Sequence, residues 1–130
     1  MKALGFYGTL AIEFFIKGKE IYINEMAPRP HNSGHYTIEG CFTSQFERHI
    51  RVICGLPLGI TDLIAETYMY NLLGQHMDKC LTWLKEMPAT SHVHLYGKKE
   101  SRENRKMGHV TFVKSTEEDR NIFKEKVLKN

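Results

Sequence analysis

The apolar positions of the chain repeat with two different periods. Residues 10–16 (Leu-Ala-Ile-Glu-Phe-Phe-Ile) and 20–26 (Glu-Ile-Tyr-Ile-Asn-Glu-Met) are β-branched and aromatic runs separated by Lys17-Gly18-Lys19, a pattern that predicts an antiparallel hairpin. The next segment, Ala27 to His35, holds two prolines that remove backbone donors and Gly34, which tolerates unusual dihedrals; it predicts a shaped polar loop. From Thr43 to Cys54 the apolar residues Phe46, Ile50, Ile53 and Cys54 recur at helical spacing, with Thr43 or Ser44 as cap and Gly55 as stop. Glu66 to Leu73 reads as a strand ending at Gly74. Gln75 to Glu86 reads as a short helix with Met77, Leu81 and Leu84 on one side and Trp83 on another.

His92 to Tyr96 and His109 to Val113 read as strands flanking a basic, glycine-bounded stretch from Gly97 to Gly108, a second hairpin with a long loop. Glu117 to Leu128 predicts a closing helix capped by Ser115 or Thr116, with Ile122, Phe123 and Val127 facing inward. The expected class is α+β, antiparallel strands with flanking helices, divided near Tyr36 to Gly40 into residues 1–37 and 38–130.

Composition narrows the classes. A chain of 130 residues, 42% hydrophobic and 25% charged, has room for one ordinary core, or a small domain plus a piece of another. Its net charge of +3 is too mild to propose nucleic-acid binding. Cys41, Cys54 and Cys80 form an odd set without CxxC spacing, each in an apolar stretch, and are expected to be buried, reduced thiols of a cytoplasmic protein. The apolar run from Met1-Lys2 to Ile16 imitates a signal peptide, but Glu13 lies inside it and Gly5, Gly8 and Thr9 interrupt it. It is also too short and too charged for a membrane span, so no membrane partner is expected.

Glu13 and Glu25 fall where a short turn brings them nearly opposite each other. Like charges across a ladder invite either solvent or a cation between them, and paired carboxylates suit Mg²⁺; the alternative is two glutamates pointing to water. The loop that follows packs Arg29, His31, Asn32, Ser33 and His35 beside Asn24-Glu25. It offers a phosphate- or carboxylate-binding fork, titratable donors and neutral donors, or else it is a polar surface loop. Residues 98–106 carry five basic and two acidic side chains, a phosphate clamp or a solvated hairpin tip. Aromatic interleaving for single-stranded nucleic acid is missing from that run. His76, His92, His94 and His109 show no metal-binding spacing and are expected to be structural. Neither a nucleophile elbow nor a Walker phosphate loop is present.

The stretch Tyr22-Ile-Asn-Glu-Met-Ala-Pro-Arg-Pro-His-Asn-Ser-Gly-His-Tyr-Thr-Ile-Glu, continued by Thr43-Ser-Gln-Phe-Glu, Cys54-Gly-Leu-Pro-Leu-Gly and His94-Leu-Tyr-Gly-Lys, resembles the PurK family of ATP-grasp ligases in purine biosynthesis. The resemblance implies the end of an ATP-grasp antiparallel sheet followed by a PurK-type C-terminal domain. It implies ATP and Mg²⁺ as cofactors, with 5-aminoimidazole ribonucleotide and bicarbonate as substrates joined through carboxyphosphate. Glu13 and Glu25 match the metal-binding acids, and Asn24 with Glu25 the cofactor contacts. Arg29 and His31 match residues beside the reacting groups, and the adjacency of His31 to Arg29 suggests it as a proton carrier. Lys98 and Arg105 match a clamp on the substrate 5′-phosphate, with Asn32 and Ser33 as supporting substrate contacts.

A complete member resembles a three-part protein, homodimeric, whose nucleotide-binding lysines and adenine-holding segment precede this region. The chain is therefore expected to be a fragment that is inactive alone. The competing expectations are a non-enzymatic nucleotide-phosphate-binding or association module and, less favoured, a small RNA-binding domain using residues 98–106.

Overall fold

The computed structural model describes residues 5–129; Met1 to Leu4, where the signal-peptide-like run starts, and Asn130 lie outside the described residues. Strands and helices are mixed and every strand pairing is antiparallel, so the class is α+β. By backbone proximity the chain separates into two compact units, Met1–Ile64 and Ala65–Asn130. Residues 38–64 pack within the first unit, whereas a family-domain division after residue 37 is a separate matter and stays a proposal.

In the first unit β1 (Ala11–Lys17) pairs with β2 (Glu20–Ala27) around Gly18-Lys19, Gly18 taking the φ of +63° that the tight turn requires. The register sets Ile12 against Met26, Phe14 against Ile23 and Ile16 against Ile21, with a shift between Glu13 and Phe14 that leaves Asn24 as the extra residue of a bulge. One face of the hairpin is thus wholly apolar, and all six of these side chains are exposed. The other face carries Glu13 and Glu25.

Past β2 the chain makes a 3₁₀ turn (Asn32–Gly34), the short α1 (Thr37–Gly40) and α2 (Gln45–Ile53). Ser44 caps α2, its side chain accepting from the Glu47 amide at 3.1 Å. The apolar stripe Phe46, Ile50 and Ile53 is exposed. Cys54, expected to be buried, closes this helix in the open and is an exposed thiol, while Cys41 and Cys80 are buried as expected.

The second unit is a three-stranded sheet ordered β3 (Thr67–Leu73), β5 (Lys106–Val113), β4 (Ser91–Leu95). Helices α3 (Met77–Trp83) and α4 (Glu117–Phe123), the latter continuing as a π turn over Lys124–Leu128, contribute to its core. That core joins Leu72, Val110 and Phe112 of the sheet to Cys80, Trp83, Phe123 and Val127, with Trp83 and Phe123 rings 4.9 Å apart at a steep angle. Thr116 caps α4 in a reciprocal box with Asp119.

α3 turns Cys80 and Trp83 inward with His76, its N-cap, while Leu81 is exposed on another side, because residues four and three apart line one face. One expected helix face is corrected. In α4 Phe123 and Val127 are buried, but Ile122 is exposed, one residue off that stripe. The loop expected over residues 97–108 is shorter, since β5 already starts at Lys106. Among the described residues no helix is long and apolar enough to cross a membrane.

Candidate functional site

The bulge in β2 builds the site. Glu13 and Glu25 are direct cross-strand partners, and the extra residue Asn24 reaches back so that its Nδ2 donates to Glu13 Oε2 at 3.3 Å. Neighbouring residues of a regular strand point to opposite faces; a bulge re-aims one of them. Asn24 and Glu25 thereby serve one carboxylate cluster.

Into that cluster comes His31, carried by the proline-bounded loop and only 8% exposed. Its Nε2 lies 2.9 Å from Glu25 Oε1 and its Nδ1 3.4 Å from Glu13 Oε1. Ser33 fixes the ring: its Oγ is 2.9 Å from Nδ1, and its backbone N–H donates to the same nitrogen at 3.4 Å. With its proton on Nε2 the ring donates to Glu25 and accepts the Ser33 N–H at Nδ1; with its proton on Nδ1 it faces Ser33 Oγ and Glu13 instead. Like-charge repulsion across the ladder is offset by the imidazole on one side and the Asn24 amide on the other.

Glu13, Glu25 and His31 each present a ligand atom within 4.8 Å of one another. Two carboxylates in such reach are the donor set a hard divalent cation takes, and they leave positions for phosphate oxygens. The residues present therefore fit Mg²⁺.

The structure thus brings Glu13, Asn24, Glu25, His31 and Ser33 together. Arg29 stands apart, exposed and donating from Nη1 to Pro30 O at 3.1 Å, and Asn32 is half-buried in the 3₁₀ turn. Lys98 and Arg105 belong to the second unit and are exposed. Lys98 Nζ donates to Lys106 O at 2.6 Å and Arg105 Nη1 to Glu100 O at 3.2 Å, so each cation is turned toward the backbone of its own loop region. That loop is no loose tip: Asn104 donates from its backbone N to Gln75 Oε1 at 2.9 Å, and Ser101 Oγ donates to Gly74 O at 3.1 Å. Two histidines of the sheet pack together, His109 sitting 2.9 Å from the Tyr96 hydroxyl and stacked on His94.

Sequence reasoning passed over Gln45. Its side chain accepts from the His31 backbone N at 2.9 Å and donates to His31 O at 2.7 Å and His35 Nδ1 at 2.8 Å. Only the motif Thr43-Ser-Gln-Phe-Glu, beside a histidine-rich loop, marks it in the sequence.

Comparison with known proteins agrees with this picture. The ATP-grasp domain family matches residues 1–46, and the phosphoribosylaminoimidazole carboxylase C-terminal domain family matches residues 67–121. The N5-carboxyaminoimidazole ribonucleotide synthase of Bacillus subtilis is 50% identical over 117 residues, 89% of this chain and 30% of that protein. Its namesake from Staphylococcus saprophyticus is 48% identical over 132 residues, 99% of this chain and 34% of that protein.

Among solved structures, the Thermus thermophilus synthetase aligns with a TM-score of 0.83 at 43% identity, covering all of this chain (100%) and 36% of its own. The Aspergillus clavatus synthase in complex with ADP and 5-aminoimidazole ribonucleotide aligns with a TM-score of 0.74 at 35% identity, covering 88% of this chain and 32% of its own. The chain spans about a third of the length of the relatives it matches. With both of its units matched by the domains of one enzyme, and with these identities, the chain belongs to the N5-carboxyaminoimidazole ribonucleotide synthase (PurK) family and corresponds to a C-terminal portion of it.

Proposed function

We propose that the chain is the C-terminal portion of a ligase that uses ATP and bicarbonate to carboxylate the exocyclic amine of 5-aminoimidazole ribonucleotide, and that it is inactive by itself. The observation that carries the reading is the facing pair Glu13 and Glu25 on the hairpin, with His31 within reach of both. Support for the substrate comes from relatives that bear the synthase name and from the Aspergillus clavatus protein, whose complex contains ADP and that ribonucleotide.

Glu13 and Glu25 hold Mg²⁺ in this reading, which supplies charge neutralisation for phosphoryl oxygens. Asn24 braces Glu13 on the nucleotide side. Arg29 is free to swing from its contact with Pro30 O toward a carboxylate or phosphate in a bidentate fork. His31 is the proton carrier in this reading, with Glu25 beside its Nε2. Asn32 and Ser33 contact substrate through the loop, Ser33 also holding Nδ1. Lys98 and Arg105 bind the 5′-phosphate by charge-assisted bonds. Such a site works by positioning, to which alignment of the amine with its electrophile contributes up to about 7–11 kcal/mol.

The test pairs this chain with the Bacillus subtilis relative in an assay of ADP release dependent on both 5-aminoimidazole ribonucleotide and bicarbonate. Turnover by the relative and none by the chain is expected; turnover by the chain alone overturns the claim of inactivity. Mn²⁺ binding to the chain, read by paramagnetic resonance, should weaken in Glu25→Gln, and an unchanged affinity removes the carboxylate pair as the metal site.

A further inference from the structure

We infer that Gln45, the first residue of α2, is the positioning residue that aims His31 at the carboxylate pair; the catalytic part of this inference rests on the role proposed for His31. His31 follows Pro28 and Pro30, and its local bonds are the Gly34 N–H to its O at 2.9 Å and the Ser33 contacts to its ring. Gln45 adds the long-range hold from a helix: its Oε1 takes the His31 N–H, and its two amide hydrogens go to His31 O and His35 Nδ1. All of the side chain's donors are committed, and rotating the amide by half a turn would set Oε1 against His31 O, so only one orientation satisfies the set.

The base of Gln45 is equally fixed. Its backbone N donates to Thr37 Oγ1 at 3.0 Å, Thr37 Oγ1 donates to Gly34 O at 2.6 Å, and Gln45 O accepts from Thr9 Oγ1 at 3.2 Å. Gly34 leaves the space this requires, since a Cβ there would come within 2.6 Å of Gln45 Oε1. Both backbone polar groups of His31 are thus clamped by one side chain, while its ring is left to Ser33 and Glu25. Loss of the clamp frees the backbone that carries the ring, and displacement of a reacting group by as little as an ångström costs rate steeply.

The test begins on this chain. In wild type, ¹H–¹⁵N correlation of the ¹⁵N-labelled imidazoles should report a single tautomer of His31, and its amide should exchange slowly. In Gln45→Ala the His31 amide should exchange at least about tenfold faster and the single-tautomer signature should average, while amides within α2 and β1 keep their rates. Unchanged exchange and tautomer at His31 overturn the inference, as does a uniform rise across α2 and β1, which marks general loosening. Gln45→Glu, which keeps the acceptor for His31 N–H but loses both donors, should fall between wild type and Gln45→Ala.

In a full-length protein made by joining this chain to the upstream part of the Bacillus subtilis relative, the same substitutions separate this inference from the proposed role of His31. Gln45→Ala should lower kcat about tenfold or more with the KM for ATP nearly unchanged, and should add little on a His31→Asn background. A harmless His31→Asn with intact spectroscopic effects removes the catalytic role of His31 and leaves the clamp. A damaging His31→Asn beside a harmless or fully additive Gln45→Ala removes Gln45 as its positioner.

Discussion

Glu13 and Glu25 face each other across a ladder, an arrangement that is unfavourable unless something positive or donating lies between them. Here the His31 imidazole and the Asn24 amide supply the donors. Replacing Glu25 by Gln removes the charge without the volume; in a complete synthase it is expected to cut turnover about a hundredfold while leaving the melting temperature within a few degrees. A variant with wild-type kcat would sink the metal role. The closeness of Glu13 and Glu25 was legible in the sequence, since both lie near one short turn, although a regular ladder would have set Asn24 opposite Glu13. The bulge that recruits Asn24 was not, since one extra residue in a strand has no signature in residue type.

His76 gives a residue-scale prediction of another kind. Burial, with like-charge repulsion from Lys79 adding to it, holds its imidazole below the ordinary value of 6.5, and its Nδ1 accepts from the Leu73 N–H at 3.2 Å. The folded unit therefore binds fewer protons than the unfolded chain at mildly acid pH. Stability present above about pH 6.5 is lost as the pH falls through the folded value. Urea unfolding of the second unit should show a lower midpoint at about pH 5 than at about pH 7, and His76→Asn should flatten that dependence. An equal slope in the variant assigns it to other groups.

At the scale of elements, the hairpin, the polar loop and the strands of the second unit follow from local pattern, because alternation and turn residues are local facts. The inward face of α3 does not. Its buried stripe is made of His76, Cys80 and Trp83, whereas the residues of plain apolar character, Met77, Leu81 and Leu84, suggested another side.

Docking of the 97–105 loop was equally hidden, for it rests on Gln75 and Asn104, 29 positions apart, and on Gly74. A Cβ at Gly74 would lie 2.0 Å from the Arg102 carbonyl oxygen, a collision with backbone that no rotamer relieves. Gly74→Ala is expected to cost roughly 1–3 kcal/mol and to lift the loop. Limited trypsin digestion followed by mass spectrometry should then show faster cleavage after Arg102 and Arg105 than in wild type. Equal cleavage rates would mean that the loop's hold lies elsewhere.

Over the whole molecule the two units differ in what they bury. The second has a contiguous core from Leu72 to Val127. In the first, the buried apolar side chains among the described residues are Ala27 and Cys41, while Ile12, Phe14, Ile16, Ile21, Ile23 and Met26 on the hairpin and Phe46, Ile50 and Ile53 on α2 are exposed. The chain spans about a third of the length of its relatives, and periodicity records that these faces are apolar without recording what packs on them. Apolar burial is the main term opposing chain entropy, so local stability must follow the core. Hydrogen exchange read by mass spectrometry should show amides of β5, the central strand, protected at least about a hundredfold more than those of β1 and β2. Joining the chain to the upstream part of a relative should raise protection in β1 and β2 and leave β5 unchanged. Equal protection of the two units in the chain alone would show instead that the hairpin, the carboxylate pair and the His31 loop hold together without the rest of the enzyme, and would make this chain by itself sufficient for studying metal binding.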